Sequence, residues 1–176
     1  WLISFWEKIG CPKNINIVEL GAGNGEMMLQ ILKTIEKFNK FKSSSNFIIY
    51  EKSPYLKKLQ KNKIKFENIK WINSLNKISK FPSIFIANEF FDALPVKQFF
   101  KRENEWFERF VNLTNLKNVK FEEIKTNIKS IEKKLDFEIS KGQKIIEYSP
   151  EAFKYLKIIG NIVEENKGGI LIIDYG

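Results

Sequence analysis

Ile15-Asn16-Ile17-Val18-Glu19-Leu20 runs directly into Gly21-Ala22-Gly23-Asn24-Gly25, and this junction decides the fold. The mostly apolar run is short enough for a buried strand, and the three glycines allow a sharp turn with close backbone approach. Met27, Met28, Leu29, Ile31, Leu32 and Ile35 then recur at helical spacing. The stretch reads as strand, tight loop, helix.

Outward from it, the same unit repeats. Before it, Leu2, Ile3, Phe5, Trp6 and Ile9 share one helical face until Gly10-Cys11-Pro12 stops the helix. After it, Ser43-Ser44-Ser45-Asn46 is expected to be a polar break before a strand, Phe47 to Glu51. Ser53-Pro54 opens a helix with Tyr55, Leu56 and Leu59 on its apolar face, serine capping and proline taking the first position. Ile69 to Ile72 is a third strand and Ser83 to Ala87 a fourth. Ser149-Pro150-Glu151 opens a further helix that ends at Gly168-Gly169, and Ile170 to Gly176 forms a fifth buried strand. Between them, residues 97–146 form an insertion. Val96, Gln98, Phe100 and then Trp106 to Val111 suggest a hairpin turning at 102–105, whereas 114–141 has no firm period and predicts one or two short elements. The expectation is an α/β fold: a mostly parallel Rossmann-like sheet with helices on both faces, in a single domain spanning 1–176. Such sheets bind ligands at the carboxyl ends of their strands.

Three constellations fall at those ends. Glu19 precedes the Gly21, Ala22, Gly23 and Gly25 loop, which matches neither the dinucleotide spacing nor a phosphate loop. An acid there repels a pyrophosphate and suits the cationic, amine-bearing end of S-adenosylmethionine; the competing reading is a turn kept for packing. Glu51 ends the second strand, 26 positions beyond Gly25, near the place, about twenty residues past such a loop, where a carboxylate accepts hydrogen bonds from a ribose hydroxyl pair. Its alternative is a lone surface glutamate. Asn88-Glu89-Phe90-Phe91-Asp92-Ala93-Leu94-Pro95 places an amide and two carboxylates beside aromatics. These carboxylates can grip a cationic acceptor and align its nitrogen, the alternative being a structural turn with a capping aspartate. Ser74-Leu75, after the third strand, is a weaker candidate for an adenine contact, and Glu147 to Glu151 reads better as a helix cap.

Composition narrows the chemistry. The chain has no histidine, and Cys11 is its only cysteine, so imidazole bases, Ser-His and Cys-His nucleophile pairs, disulfides and thiolate zinc sites are excluded. No metal site is expected, and a reducing compartment fits. The formal charge is +9, yet Arg102 and Arg109 are the only arginines. Scattered lysine describes a solvated surface better than a nucleic-acid reader. No apolar run is long enough to span a bilayer. A start at Trp1 and an end at Gly176 after an apolar run suggest a fragment truncated at both ends.

Together these motifs resemble the MidA-like methyltransferases, a family that includes mitochondrial complex I assembly factors that methylate a protein arginine. The matching stretches are Val18 to Gly25; Glu51-Lys52-Ser53-Pro54 with Leu56 and Gln60; Asn88 to Val96 with Gln98-Phe99; Glu147-Tyr148-Ser149-Pro150; and Ile172-Ile173-Asp174-Tyr175-Gly176. Where the family often has Gly-Pro-Gly, this chain has Gly21-Ala22-Gly23. The resemblance implies a class I methyltransferase fold with S-adenosylmethionine as donor. It implies a protein arginine acceptor, on a respiratory complex I subunit in the mitochondrial members, and a place in the bacterial cytoplasm or, if the chain is eukaryotic, the mitochondrial matrix. On it, Glu19, Gly21, Ala22, Gly23, Gly25, Glu51, Lys52, Ser74, Leu75 and Asn88 would bind the donor. Glu89 would clamp the guanidinium, with Asp92 as second candidate. The alternative is a non-catalytic, cofactor-binding assembly factor that docks a partner protein.

Overall fold

The computed structural model describes residues 1–115, 118–139 and 141–175. Two compact units divide the chain: Trp1–Ala93 with Phe153–Gly176, and Leu94–Ala152.

The first unit follows the alternating pattern. Helix α1 (Leu2–Lys8) precedes β1 (Ile15–Leu20), α2 (Glu26–Ile35), α3 (Asn39–Ser44), β2 (Ser45–Tyr50), α4 (Pro54–Lys63), β3 (Ile69–Ile72) and β4 (Ser83–Asn88). The sheet order is β3-β2-β1-β4 and then β9 (Gly168–Ile173), with every pairing parallel. Every residue of β1 is buried, as expected of a central strand covered on both faces. Alternation along the strands sorts the core. Ile15, Ile17, Phe47, Ile49, Ile84 and Ile86 join Trp6 of α1 and Met28, Leu32 and Ile35 of α2 in one cluster. Tyr50, one step out of phase with Ile49, meets Tyr155 on the long helix that precedes β9. Helices therefore cover both faces.

Two expectations for this unit are corrected. Ser43 and Ser44 are not a break but the last turn of α3, and β2 begins at Ser45. The hydroxyls of Ser43 and Ser44 donate to the Lys40 carbonyl and that of Ser45 to the Phe41 carbonyl, so three serines satisfy the carbonyls of a helix anchored by buried Phe41. Strand β9 is half-buried rather than buried, because only β4 pairs with it among the described residues.

The second unit is a four-stranded antiparallel sheet in the order β7-β6-β5-β8. Its strands are β5 (Lys97–Arg102), β6 (Glu105–Asn115), β7 (Asn118–Thr126) and β8 (Ile145–Tyr148), with α5 (Lys129–Leu135) before β8. The β5–β6 hairpin turns where the sequence placed it. Residues 114–141 hold one long strand and one short helix, and 116, 117 and 140 of that stretch lie outside the described residues. Strand β7 hides its period because most of it is solvent-exposed. Its backbone ladder with β6, and not burial of one face, holds it in place. Helix α6 (Pro150–Asn166) starts in this unit and continues in the first, its first turn capped by Ser149 Oγ, which accepts from the Ala152 N–H.

Candidate functional site

The chain turns after β1 through Gly21, Gly23 and Gly25, all in the left-handed region at φ +62°, +53° and +78°. Only glycine adopts such a run without strain. Gly21 donates to the Tyr50 carbonyl at 3.0 Å, and a Cβ on it would lie 2.8 Å from Phe90 Cδ2. The loop borders a cleft of about 330 Å3 whose lining includes Glu19, Gly21, Ala22, Gly23, Asn88 and Glu89.

Glu19 carries the electrostatic tension of this cleft. It is 2% exposed, and its Oε2 is buried with no hydrogen-bond partner among the described residues. Burial raises its pKa to about 7, against the lowering effect of the Met28 backbone N–H. A buried carboxylate oxygen without a donor lacks a cation or an N–H. A ligand ammonium would supply both, so the residues present fit the amine-bearing end of the donor.

At the end of β2 the buried Glu51 carboxylate is held at both oxygens. Oε1 accepts from the Ser53 N–H at 2.8 Å, and Oε2 from Gln60 Nε2 at 3.0 Å. Each oxygen keeps one lone pair, enough for a pair of hydroxyl donors.

Beyond β4, Glu89 takes a left-handed conformation at φ +48°. Its N–H donates to the Ile173 carbonyl at 2.9 Å, and its Oε1 accepts from the Tyr175 N–H at 3.1 Å. The residues after β9 are thereby latched to the loop after β4. Carboxylate oxygens of Glu89, Asp92 and Asp174 consequently lie within 4.8 Å of one another, Glu89 half-buried and the other two exposed. Phe90 fills the space behind, edge-on to Tyr155, Phe91 and Tyr50 at ring separations of 5.1, 5.3 and 6.4 Å.

A strand-end cleft with a glycine loop and a buried orphan acid stands beside what the comparisons with known proteins find for the chain as a whole. The family described as "Putative S-adenosyl-L-methionine-dependent methyltransferase" covers residues 1–176. The chain belongs to this family. S-adenosylmethionine is accordingly its cofactor. Among curated relatives, the chain is 26% identical to "Protein arginine methyltransferase NDUFAF7, mitochondrial" of Danio rerio, over 100% of its own length and 47% of the relative's. It is 33% identical to the Caenorhabditis elegans homolog over 65% of its length and 31% of the relative's. The chain thus spans about half the length of the first of these. A solved COG1565 superfamily member from Burkholderia thailandensis, bound to S-adenosyl-homocysteine, shares the fold at TM-score 0.66 and 17% identity, over 88% of this chain and 41% of that one.

In this methyltransferase-family chain, the cleft gathers Glu19, Gly21, Ala22, Gly23, Asn88 and Glu89. Gly25, Glu51, Lys52, Ser74, Leu75 and Asp92 lie off its lining. Gly25 packs on Gln60, and Lys52 Nζ stands 5.3 Å from the centre of the Tyr155 ring, whose hydroxyl raises the lysine's pKa. Ser74 precedes a 3-10 turn at Leu75–Lys77, with Leu75 buried. Sequence reasoning assigned no role to Gln60, Tyr155 or Asp174. Their parts depend on contacts between distant segments; Gln60 and Asp174 stood among the stretches that carry the resemblance, without a role attached to either.

Proposed function

We propose that the protein transfers a methyl group from S-adenosylmethionine to a protein arginine, with Glu89 as the guanidinium clamp. The observation that carries this reading is the convergence of the Glu89, Asp92 and Asp174 carboxylates beyond the ends of β4 and β9, with Glu89 also lining the cleft. A planar guanidinium presents several N–H donors at once and rewards a set of carboxylates more than a single one. Glu19 would hold the donor's ammonium and Glu51 its ribose, with Gly21 and Gly23 allowing close backbone approach. When bound, S-adenosylmethionine supplies an electrophilic methyl on a sulfonium. The chain's contribution is then orientation and negative charge beside the attacking nitrogen, which needs neither histidine nor metal. The names of the mitochondrial relatives support an arginine acceptor, and the reading extends to a respiratory-complex subunit as substrate.

A second reading, a non-catalytic assembly factor, is favoured by one feature of the second unit. Val111, Leu113, Val119 and Phe121 are 61–71% exposed and pair across β6 and β7 on one face, an apolar surface suited to a partner protein. Glu89→Gln separates the two. The clamp reading requires loss of transfer with S-adenosylhomocysteine affinity retained; full turnover in this variant would sink it.

A further inference from the structure

Gln60 is fully buried on α4 and makes three hydrogen bonds with three different segments. Its Nε2 donates to the Gly23 carbonyl at 2.9 Å and to Glu51 Oε2 at 3.0 Å, and its Oε1 accepts from Trp71 Nε1 at 3.0 Å. Both amide hydrogens therefore face acceptors, and the oxygen faces a donor. The reversed amide would set oxygen against two oxygens, so one orientation is fixed. Gly25 closes the arrangement: a Cβ there would lie 3.3 Å from Gln60 Cγ.

We propose that Gln60 is a positioning residue for the donor's nucleoside, fixing the ribose-binding carboxylate of Glu51 against the glycine loop. The inference rests on the reading of Glu51 as the ribose acid. One side chain joins the peptide that turns the loop at Gly23 to the acid at the end of β2, so the two halves of the nucleoside site hold a single spacing. Ser53 N–H fixes the other Glu51 oxygen, and the remaining lone pairs are aimed as a set. Without Gln60, Glu51 loses one of the two donors that direct it.

Discrimination between S-adenosylhomocysteine and its 2′-deoxyribose analogue, measured by calorimetry at pH 6 and pH 9, tests this. The charged groups nearest in the contacts are Glu51 itself, bonded to Gln60, the Lys63–Glu26 pair between α4 and α2, and Lys61, whose Nζ stands 5.7 Å from the Trp71 ring centre; Glu19 lies on the other side of the glycine loop's sequence, before Gly21. Glu19 gives the parent protein its own pH dependence, so every comparison is a ratio of the two ligands at one pH. The parent protein is expected to prefer the ribose ligand about tenfold at both pH values, the scale of a hydrogen bond to a charged group. Gln60→Glu, nearly isosteric, should keep that preference at pH 6, where the protonated acid still donates to Glu51. It should lose most of it at pH 9, where two carboxylates oppose each other. A general packing defect would weaken both ligands alike and leave the ratio unchanged. Parental discrimination by Gln60→Glu at both pH values would overturn the role of Gln60. No discrimination in the parent protein would instead overturn the reading of Glu51 and the inference with it.

Discussion

The hydroxyls of Tyr50 and Tyr155 lie 2.8 Å apart in the interior of the first unit, joining the end of β2 to α6 across 105 residues of chain. Burial first, and the Tyr155 hydroxyl second, push the Tyr50 phenol up to about 12, so Tyr50 stays protonated through the ordinary pH range. Removing one hydroxyl leaves the other buried. Tyr155→Phe is expected to lower stability by about 1–2 kcal/mol. Tyr50→Phe should cost a similar amount, because each hydroxyl is the other's partner. Chemical denaturation of both variants and the double variant checks this: the two losses should not add, with a coupling of about 1 kcal/mol.

Glu19 predicts a pH dependence with a definite sign. Its folded pKa of about 7 lies above the ordinary 4.5, so the folded chain holds a proton that the unfolded chain has released. Stability is full below pH 4.5 and declines until about pH 7, by about 3 kcal/mol for this group. Glu19→Gln should flatten that decline in thermal melts. Affinity for S-adenosylhomocysteine should move the opposite way, rising through pH 7 as the carboxylate that receives the ammonium ionises. A parent affinity independent of pH between 5.5 and 8.5 would refute the pairing.

Two glycines should respond differently to alanine. At Gly168, φ is +134° and a Cβ would meet the Ser83 carbonyl oxygen at 1.9 Å, where the neighbour is backbone inside the sheet. Gly168→Ala should cost several kcal/mol, of the order found for overpacked interiors with added backbone strain, and sharply reduce soluble protein. At Gly21 the neighbour is the Phe90 ring, which can move. Gly21→Ala should therefore fold, at a cost of about 1–2 kcal/mol, with ligand affinity down about tenfold as the ring is displaced toward the acidic loop.

Glu89→Gln keeps an oxygen to accept from the Tyr175 N–H, so the latch between the two strand ends should survive. S-adenosylhomocysteine affinity is expected to stay within about twofold, while methyl transfer to an arginine peptide falls by about a hundredfold or more, as for loss of one charged positioning group. Asp174→Asn, outside the latch, should fall less. Equal losses in both variants would point to net charge and not to a clamp.

How much the sequence revealed depends on where each residue finds its partners. Strand β1 and its loop were legible because a buried parallel strand writes itself as an uninterrupted apolar run and the turn demands glycine. Strand β7 was not, because most of its side chains face water and its pairing with β6 leaves no mark in composition. At the site, Glu19 and Glu89 were visible as acids in places where acids are unusual. Gln60 stood out only through the resemblance, and Tyr155 was an ordinary residue on a helix face. Nothing local distinguishes an amide that bridges Gly23, Glu51 and Trp71 from one that faces solvent, and the Asp174 carboxylate acquires neighbours only once β9 has paired with β4.

The antiparallel pairing of β5 with β8 sets Lys97 opposite Tyr148. The outgoing and returning strands of the second unit are thus zipped side by side, about 5 Å apart, whatever the chain between them does. Everything past that zipper is a detachable annex entered through a single doorway: its hairpin can lengthen, shrink or change its apolar face across generations without shifting the wall that β1, β4 and β9 build. A chain assembled this way can vary the middle of its sequence while the segments on either side of it keep building the parallel sheet.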